Sequence, residues 1–193
     1  MPLPRLKKTH IVALALCATL VTAVVVAAVA TGKTARLLPQ VAYKEVGWLA
    51  LVPKDWKPQE RLDRKKAASL NDGDALAQEM LRELREILDT APTVDALDGE
   101  AVRMPGYVVA LEQGKEGLTE FLLVPYYGAC IHTPPPPANQ IVHVVSRKPV
   151  KGFQTMSAVW VQGKLRTARE KTSMGVSGYS MELARIEAYR PAQ

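Results

Sequence analysis

Apolar residues follow three different periods along the chain. Residues 11–30 form an unbroken apolar run of 20 residues with no charge, Gly or Pro. A helix of that length rises about 30 Å, the thickness of a bilayer's hydrocarbon core. Over residues 74–89 the period is helical: Leu76, Met80, Leu84, Ile87 and Leu88 make one stripe, with Glu79, Arg82, Glu83, Arg85 and Glu86 on the other faces. Asn71 and Asp72 are capping candidates, and Pro92 closes the helical region. From Ala101 the pattern becomes strand-like. Segments 102–112, 119–125, 140–146, 158–167 and 180–189 are rich in Val, Tyr, Phe and Trp, and Gly or Pro punctuates the gaps. Asp98-Gly99 predicts a turn before the first strand, and residues 113–117 a hairpin loop to the second. Five short strands in succession predict a mainly β (α+β) domain. A small five-stranded antiparallel barrel of the oligonucleotide/oligosaccharide-binding (OB) type, preceded by one amphipathic helix, is the best fit.

The chain divides accordingly into residues 1–31, a signal anchor or signal peptide; residues 32–73, an irregular arm broken by Pro39, Pro53 and Pro58; and residues 74–190, the helix and barrel. Arg5, Lys7 and Lys8 precede the apolar run, so the positive-inside rule keeps that end cytoplasmic and places the domain on the far side. The length of the run favours an uncleaved anchor. Ala28-Val29-Ala30 offers a signal peptidase small residues and keeps the cleaved alternative open. Leu16 argues against lipid attachment at Cys17. In the arm, Trp48 and Trp56 are expected to pack on the domain, with the membrane interface as the alternative. Gly32-Lys33-Thr34 looks like the end of a phosphate-binding loop, but Ala27 stands where that loop needs Gly.

Composition changes this picture little. Hydrophobic residues are 48% of the chain, enough for a core. Half of the +6 net charge is Arg5, Lys7 and Lys8, so the domain has no strong electrostatic case for nucleic acid.

The chemistry is concentrated in residues 125–140. Pro134, Pro135, Pro136 and Pro137 fix φ, remove four N–H donors and predict a stiff polyproline II loop. Cys130 and His132 stand just before it, and alternate residues of an extended chain point to one face. Thiolate and imidazole suit zinc, or copper(I) on the sulfur side; His143 or a carboxylate would supply a third ligand. Two other readings stand beside this one. Cys130 can be a small buried hydrophobe with His132 a hydrogen-bonded support of the loop. Alternatively, Cys130 can be a nucleophile with His132 as its base. If Cys17 stays in the apolar segment, the exported domain has a single thiol and no internal disulfide.

Residues 119–140, Thr119-Glu120-Phe121-Leu122-Leu123-Val124-Pro125-Tyr126-Tyr127-Gly128-Ala129-Cys130-Ile131-His132-Thr133-Pro134-Pro135-Pro136-Pro137-Ala138-Asn139-Gln140, resemble the hallmark of a bacterial family, domain of unknown function 3299 (DUF3299). Residues 49–56, 97–109, 159–163 and 178–182 fit the same family, so the likeness spans about residues 45–190. The resemblance implies an exported protein; relatives are often lipoproteins, and this N-terminus departs from that pattern. Another departure is Ala110, where many relatives have Pro. Some relatives are encoded beside an ATP-driven (ABC-type) transporter of the macrolide-exporter type in zinc-responsive gene sets. The expected function is therefore that of a non-enzymatic, membrane-tethered periplasmic module, accessory to such a transporter in zinc homeostasis. Cys130 and His132, with His143, are its candidate metal ligands. Tyr126, Tyr127, Pro134, Pro135, Pro136, Pro137, Asn139 and Gln140 are its candidate partner surface. A structural assembly factor without ligand and a Cys-dependent enzyme are the alternatives.

Overall fold

The computed structural model describes residues 41–58, 75–129 and 135–190. The predicted apolar segment 11–30 lies outside them, and among the described residues no helix is long and apolar enough to cross a membrane. The elements are β1 (Lys44–Glu45), a 3₁₀ turn (Trp48–Leu51), α1 (Ala75–Asp89), a second 3₁₀ turn (Asp95–Leu97), β2 (Ala101–Gly114) and β3 (Gly117–Val124). A third 3₁₀ turn (Ala138–Gln140) leads to β4 (Val142–Val150) and β5 (Ala158–Arg166), then β6 (Glu170–Thr172), β7 (Gly175–Ser177) and β8 (Tyr179–Ala188).

The five long strands close on themselves in the order β2-β3-β4-β8-β5 and back to β2. Every pairing in the ring is antiparallel except β4 with β8. Counting only the barrel strands, the order is first, second, third, fifth, fourth, the connectivity of an OB barrel, as the strand spacing predicts. β1 adds in parallel to β2, and β6 and β7 form a small hairpin between β5 and β8.

Closure rests on β2 serving two neighbours. Ala101 to Tyr107 pair with β5, and Tyr107 to Gly114 pair with β3. The switch falls at Pro105-Gly106, where a Cβ on Gly106 would come within 2.7 Å of Leu123 Cγ and 2.9 Å of the Val124 carbonyl oxygen. Only a residue without a side chain admits that approach.

Alternate residues fill the interior: Val102, Met104 and Val108 from β2, Phe121 and Leu123 from β3, Val144 from β4, Val161 and Leu165 from β5, and Met181 from β8. A second cluster, Val109, Leu122, Val124, Ile141 and Ala129, lies apart from this interior set, and Met156 and Met174 pack against it. The end of β3 is therefore buried on both faces, which explains its continuous apolar run in place of alternation.

The segments before the barrel are tied to it by named bonds. Trp48 Nε1 donates to the Pro105 carbonyl at 2.8 Å, so Trp48 packs on the barrel as expected. The Tyr179 hydroxyl accepts from Val94 N–H at 2.7 Å and donates to the Leu51 carbonyl at 2.8 Å. In α1, Ile87 is buried and Met80, Leu84 and Leu88 are half-buried, whereas Leu76 is exposed: only the later turns dock. The Arg169 guanidinium donates to the Asp89 carbonyl and, at 2.9 Å, to that of Ala91, satisfying carbonyls that a helix end leaves open.

Candidate functional site

β3 ends at Val124, and the chain leaves the barrel through Pro125, Tyr126, Tyr127 and Gly128, the last in a left-handed turn with φ 83°. Tyr126 and Tyr127 are exposed. Cys130, His132 and Pro134 lie outside the described residues. The chain returns at Pro135; Pro137 has φ −58° and ψ 149°, polyproline II geometry. Pro136 is buried, while Pro135, Pro137 and Gln140 are half-buried.

The last part of the motif is a clamp. Asn139 is fully buried, and its Nδ2 donates to the Pro92 carbonyl at 3.0 Å. The Ala138 carbonyl accepts from Gly178 N–H at 2.6 Å, and Gln140 N–H donates to the Pro137 carbonyl at 2.7 Å. This places Pro136 and Asn139 in the packing of the loop, whereas Tyr126 and Tyr127 face outward. Asn139 Oδ1 is buried without a hydrogen-bond partner among the described residues.

His143 stands on β4 opposite Leu122, and its Nε2 lies 2.7 Å from Glu120 Oε1 on β3. The imidazole is 13% exposed. In the neutral tautomer that donates Nε2–H to Glu120, Nδ1 is the nitrogen with a lone pair for a ligand. Among the described residues no three His, Cys, Asp or Glu side chains converge as a metal-holding group.

Beside the β3–β4 loop is a feature that no sequence motif announces. Trp48, Pro105, Tyr107, Pro125, Ala158 and Tyr189 line a cavity of about 230 Å³. Tyr127 stands edge-on to Tyr107, with centroids 5.8 Å apart and an interplanar angle of 85°. On the other side, Trp160 lies 5.7 Å from Tyr189, and the Arg103 guanidinium caps Trp160 at 3.7 Å. Glu45 holds that guanidinium at 2.9 Å. The chain has 3 Trp, 6 Tyr and 2 Phe, and five of these eleven rings, Trp48, Tyr107, Tyr127, Trp160 and Tyr189, form this one band. They come from five separate stretches of sequence; the only trace they leave there is an aromatic residue on each of several strands. One edge-to-face pair, one tilted pair and the arginine cap hold four of these rings, which favours a planar or apolar ligand group.

The model of the DUF3299 family, proteins of unknown function, matches residues 48–188. The crystal structure of a DUF3299 family protein from Pseudomonas aeruginosa PAO1 is similar, at 33% sequence identity and a TM-score of 0.59. The match covers 79% of this chain and 99% of that one. No curated protein matches the chain. The family match takes in the five barrel strands, the β3–β4 loop and four of the five rings of the band, Tyr189 lying just past it, and the chain belongs to the DUF3299 family.

Proposed function

We propose that the protein is a non-enzymatic binding module of the cell envelope, exported or tethered by its first 31 residues, and that it docks an integral membrane partner through the aromatic band. The observation that carries this reading is the continuity of exposed Tyr127 with the slot between Tyr107 and Tyr189. Rigid aromatic anchors around a pocket are what protein interfaces use for most of their binding energy, because two χ angles bring a large contact area at low entropic cost. An ABC-type transporter of the macrolide-exporter type is the partner that the family resemblance suggests. The test is recovery of that transporter's subunit with the intact membrane-embedded chain. Tyr127→Ala with Tyr189→Ala reduces recovery about tenfold, a loss equivalent to about 1.4 kcal/mol. Equal recovery by a variant with unchanged circular dichroism refutes the band as the docking surface.

The Glu120–His143 pair favours a second reading for the same module. A carboxylate on one ring nitrogen is the arrangement that orients a histidine toward a metal through the other. Cys130 and His132, with His143, would then hold zinc, or copper, and the domain would serve metal homeostasis. Zinc titration of the untagged protein decides it. Cys130→Ser or His143→Ala abolishes binding, and Glu120→Gln weakens it about 10- to 100-fold. No uptake of zinc or copper by the unmodified chain ends this reading and leaves the docking surface standing.

A further inference from the structure

The weakest seam of the barrel is the parallel one. β4 and β8 pair at only four positions, from Val142 with Tyr179 to Val145 with Glu182. Beyond them the strands part. β4 continues beside β3, with Val150 opposite Leu118, and β8 continues beside β5, from Leu183 opposite Gly163 to Ala188 opposite Val159. Ser146 to Val150 and Leu183 to Ile186 therefore face each other across a gap with no ladder between them, and the gap encloses about 540 Å³. The β4 side of the gap is a wide bulge: between Val145 opposite Glu120 and Val150 opposite Leu118, Ser146 to Pro149 stand against Thr119 alone, and the Lys148 carbonyl accepts from Ser146 Oγ at 2.6 Å.

Two kinds of group line this gap. Val150, Leu183 and Ile186 are apolar, and Arg147, Lys148, Lys151 and Arg185 are cationic; no carboxylate lines it. The acids near it stand at its margins: Glu182 pairs with Arg147 where the strands part, Glu187 with Arg185 at 2.6 Å, and Glu116 with Lys151 at 3.8 Å. These pairs are exposed, so water screens them and an incoming carboxylate competes for the cations.

We infer that the split seam between β4 and β8 receives an extended acidic peptide segment, which adds as a strand to the β8 edge with the bulged, cationic stretch of β4 along its other side. Open strand edges offer main-chain donors and acceptors to another chain, and alternate side chains of the guest meet alternate walls. Because β4 and β8 run in the same direction, one guest strand has the same orientation relative to both edges. Its apolar side chains would lie on Val150, Leu183 and Ile186, and its carboxylates would meet the four cations. The β4 side is bulged, Pro149 has no N–H and the Lys148 carbonyl is taken by Ser146, so the β8 edge carries the pairing. The same proline and lysines discourage a second copy of this basic edge, which selects for an acidic partner. The β8 strand edge favours peptide over an anionic lipid surface, which would use the charges alone.

The test uses the intact protein and a fluorescein-labelled octapeptide of alternating Glu and Val, read by fluorescence anisotropy. Binding weakens as salt rises past the point where the Debye length is about 8 Å. The same peptide N-methylated at alternate residues keeps its charge and loses its strand-pairing donors; it binds at least about tenfold more weakly. Arg147→Glu with Arg185→Glu weakens the unmodified peptide at least about tenfold. Lys148→Glu with Lys151→Glu gives the same direction if the first pair fails to fold. Absence of binding overturns the inference, as does equal affinity for the N-methylated peptide. Binding to vesicles of anionic phosphatidylglycerol with the same variant dependence, in place of peptide, overturns it too.

Discussion

Removing one oxygen atom, by Tyr179→Phe, tests how the segments before the barrel are held. The ring is fully buried, and its hydroxyl bridges Leu51 in the arm and Val94 after α1. Phenylalanine keeps the packing and strands both partners: Val94 N–H loses its acceptor and the Leu51 carbonyl its donor. Each buried polar group left alone costs about 1–3 kcal/mol, so the variant loses about 2–6 kcal/mol. For a domain of this size that lowers Tm by roughly 4–24 °C. Urea unfolding followed by tryptophan fluorescence reads the loss, and an unchanged m-value confirms that the two end states are the same. The Val94 amide, followed by hydrogen exchange, loses protection ahead of the strands. There is a pH signature as well. Burial pushes the Tyr179 hydroxyl above its ordinary value of 10.0, and the charge of Asp95 adds to this, against the opposing pull of the Val94 N–H. A raised acid keeps its proton longer in the folded state. Its contribution is complete below pH 10 and is lost as pH rises through the folded value. The gap between wild type and Tyr179→Phe therefore narrows in alkali. A loss below about 1 kcal/mol with unchanged exchange at Val94 refutes the bridge as a fastening.

Gly163→Ala puts a Cβ within 2.5 Å of Met181 Cγ and closer still to the Glu182 carbonyl oxygen, which is backbone and cannot turn aside. A loss of about 2–3 kcal/mol in chemical unfolding is expected. The Asp98 carboxyl is held below its ordinary value of 3.8 by the Thr167 N–H and, against some desolvation, by Arg166. A lowered carboxyl contributes stability above its unfolded value and loses it as pH falls through the folded one, so Asp98→Asn flattens the acid limb of urea midpoints measured across that window. Arg169→Ala leaves the last carbonyls of α1 open, costs about 1 kcal/mol and reduces helical circular dichroism before strand signal is lost.

The long strands were legible because most of their residues alternate or form short apolar runs, with Gly or Pro in the gaps between them. β4 runs on to Val150 where the pattern predicts an end near Ser146. Arg147, Lys148 and Pro149 read as loop because they edge an open seam and need no apolar face. β1, β6 and β7 have only two or three residues each and little apolar content; tertiary pairing alone makes them strands. Leu76 belongs to the helical stripe by spacing yet stays exposed, since periodicity says which residues share a face and not how far along the neighbour extends. At the candidate site, the outward tyrosines follow from the proline loop. The acid that pairs His143 does not: Glu120 reaches it diagonally across two strands, which only the register reveals. The aromatic band was hidden for the same reason, as five rings from distant segments meet only once the barrel closes.

That closure also decides which surfaces are free. OB barrels commonly take ligands on the face of their second and third strands, here β3 and β4. Leu122, Val124 and Ile141, fully buried, cluster with Ala129 of the chain's own loop, and Met156 and Met174 pack against them. Met156 is held there with φ 71°, a left-handed conformation that costs about 1–2 kcal/mol, while its sulfur accepts from Gly128 N–H at 3.2 Å. Each buried Leu, Ile or Val contributes roughly 1.5–3 kcal/mol, so a ligand entering this face would first have to overcome several such terms. A stacked oligonucleotide, at about 1–3 kcal/mol per base, has little to gain by displacing them. The chain thus uses much of the generic OB face as core, which leaves the aromatic band and the β4–β8 seam, among the described residues, as the surfaces proposed for a partner.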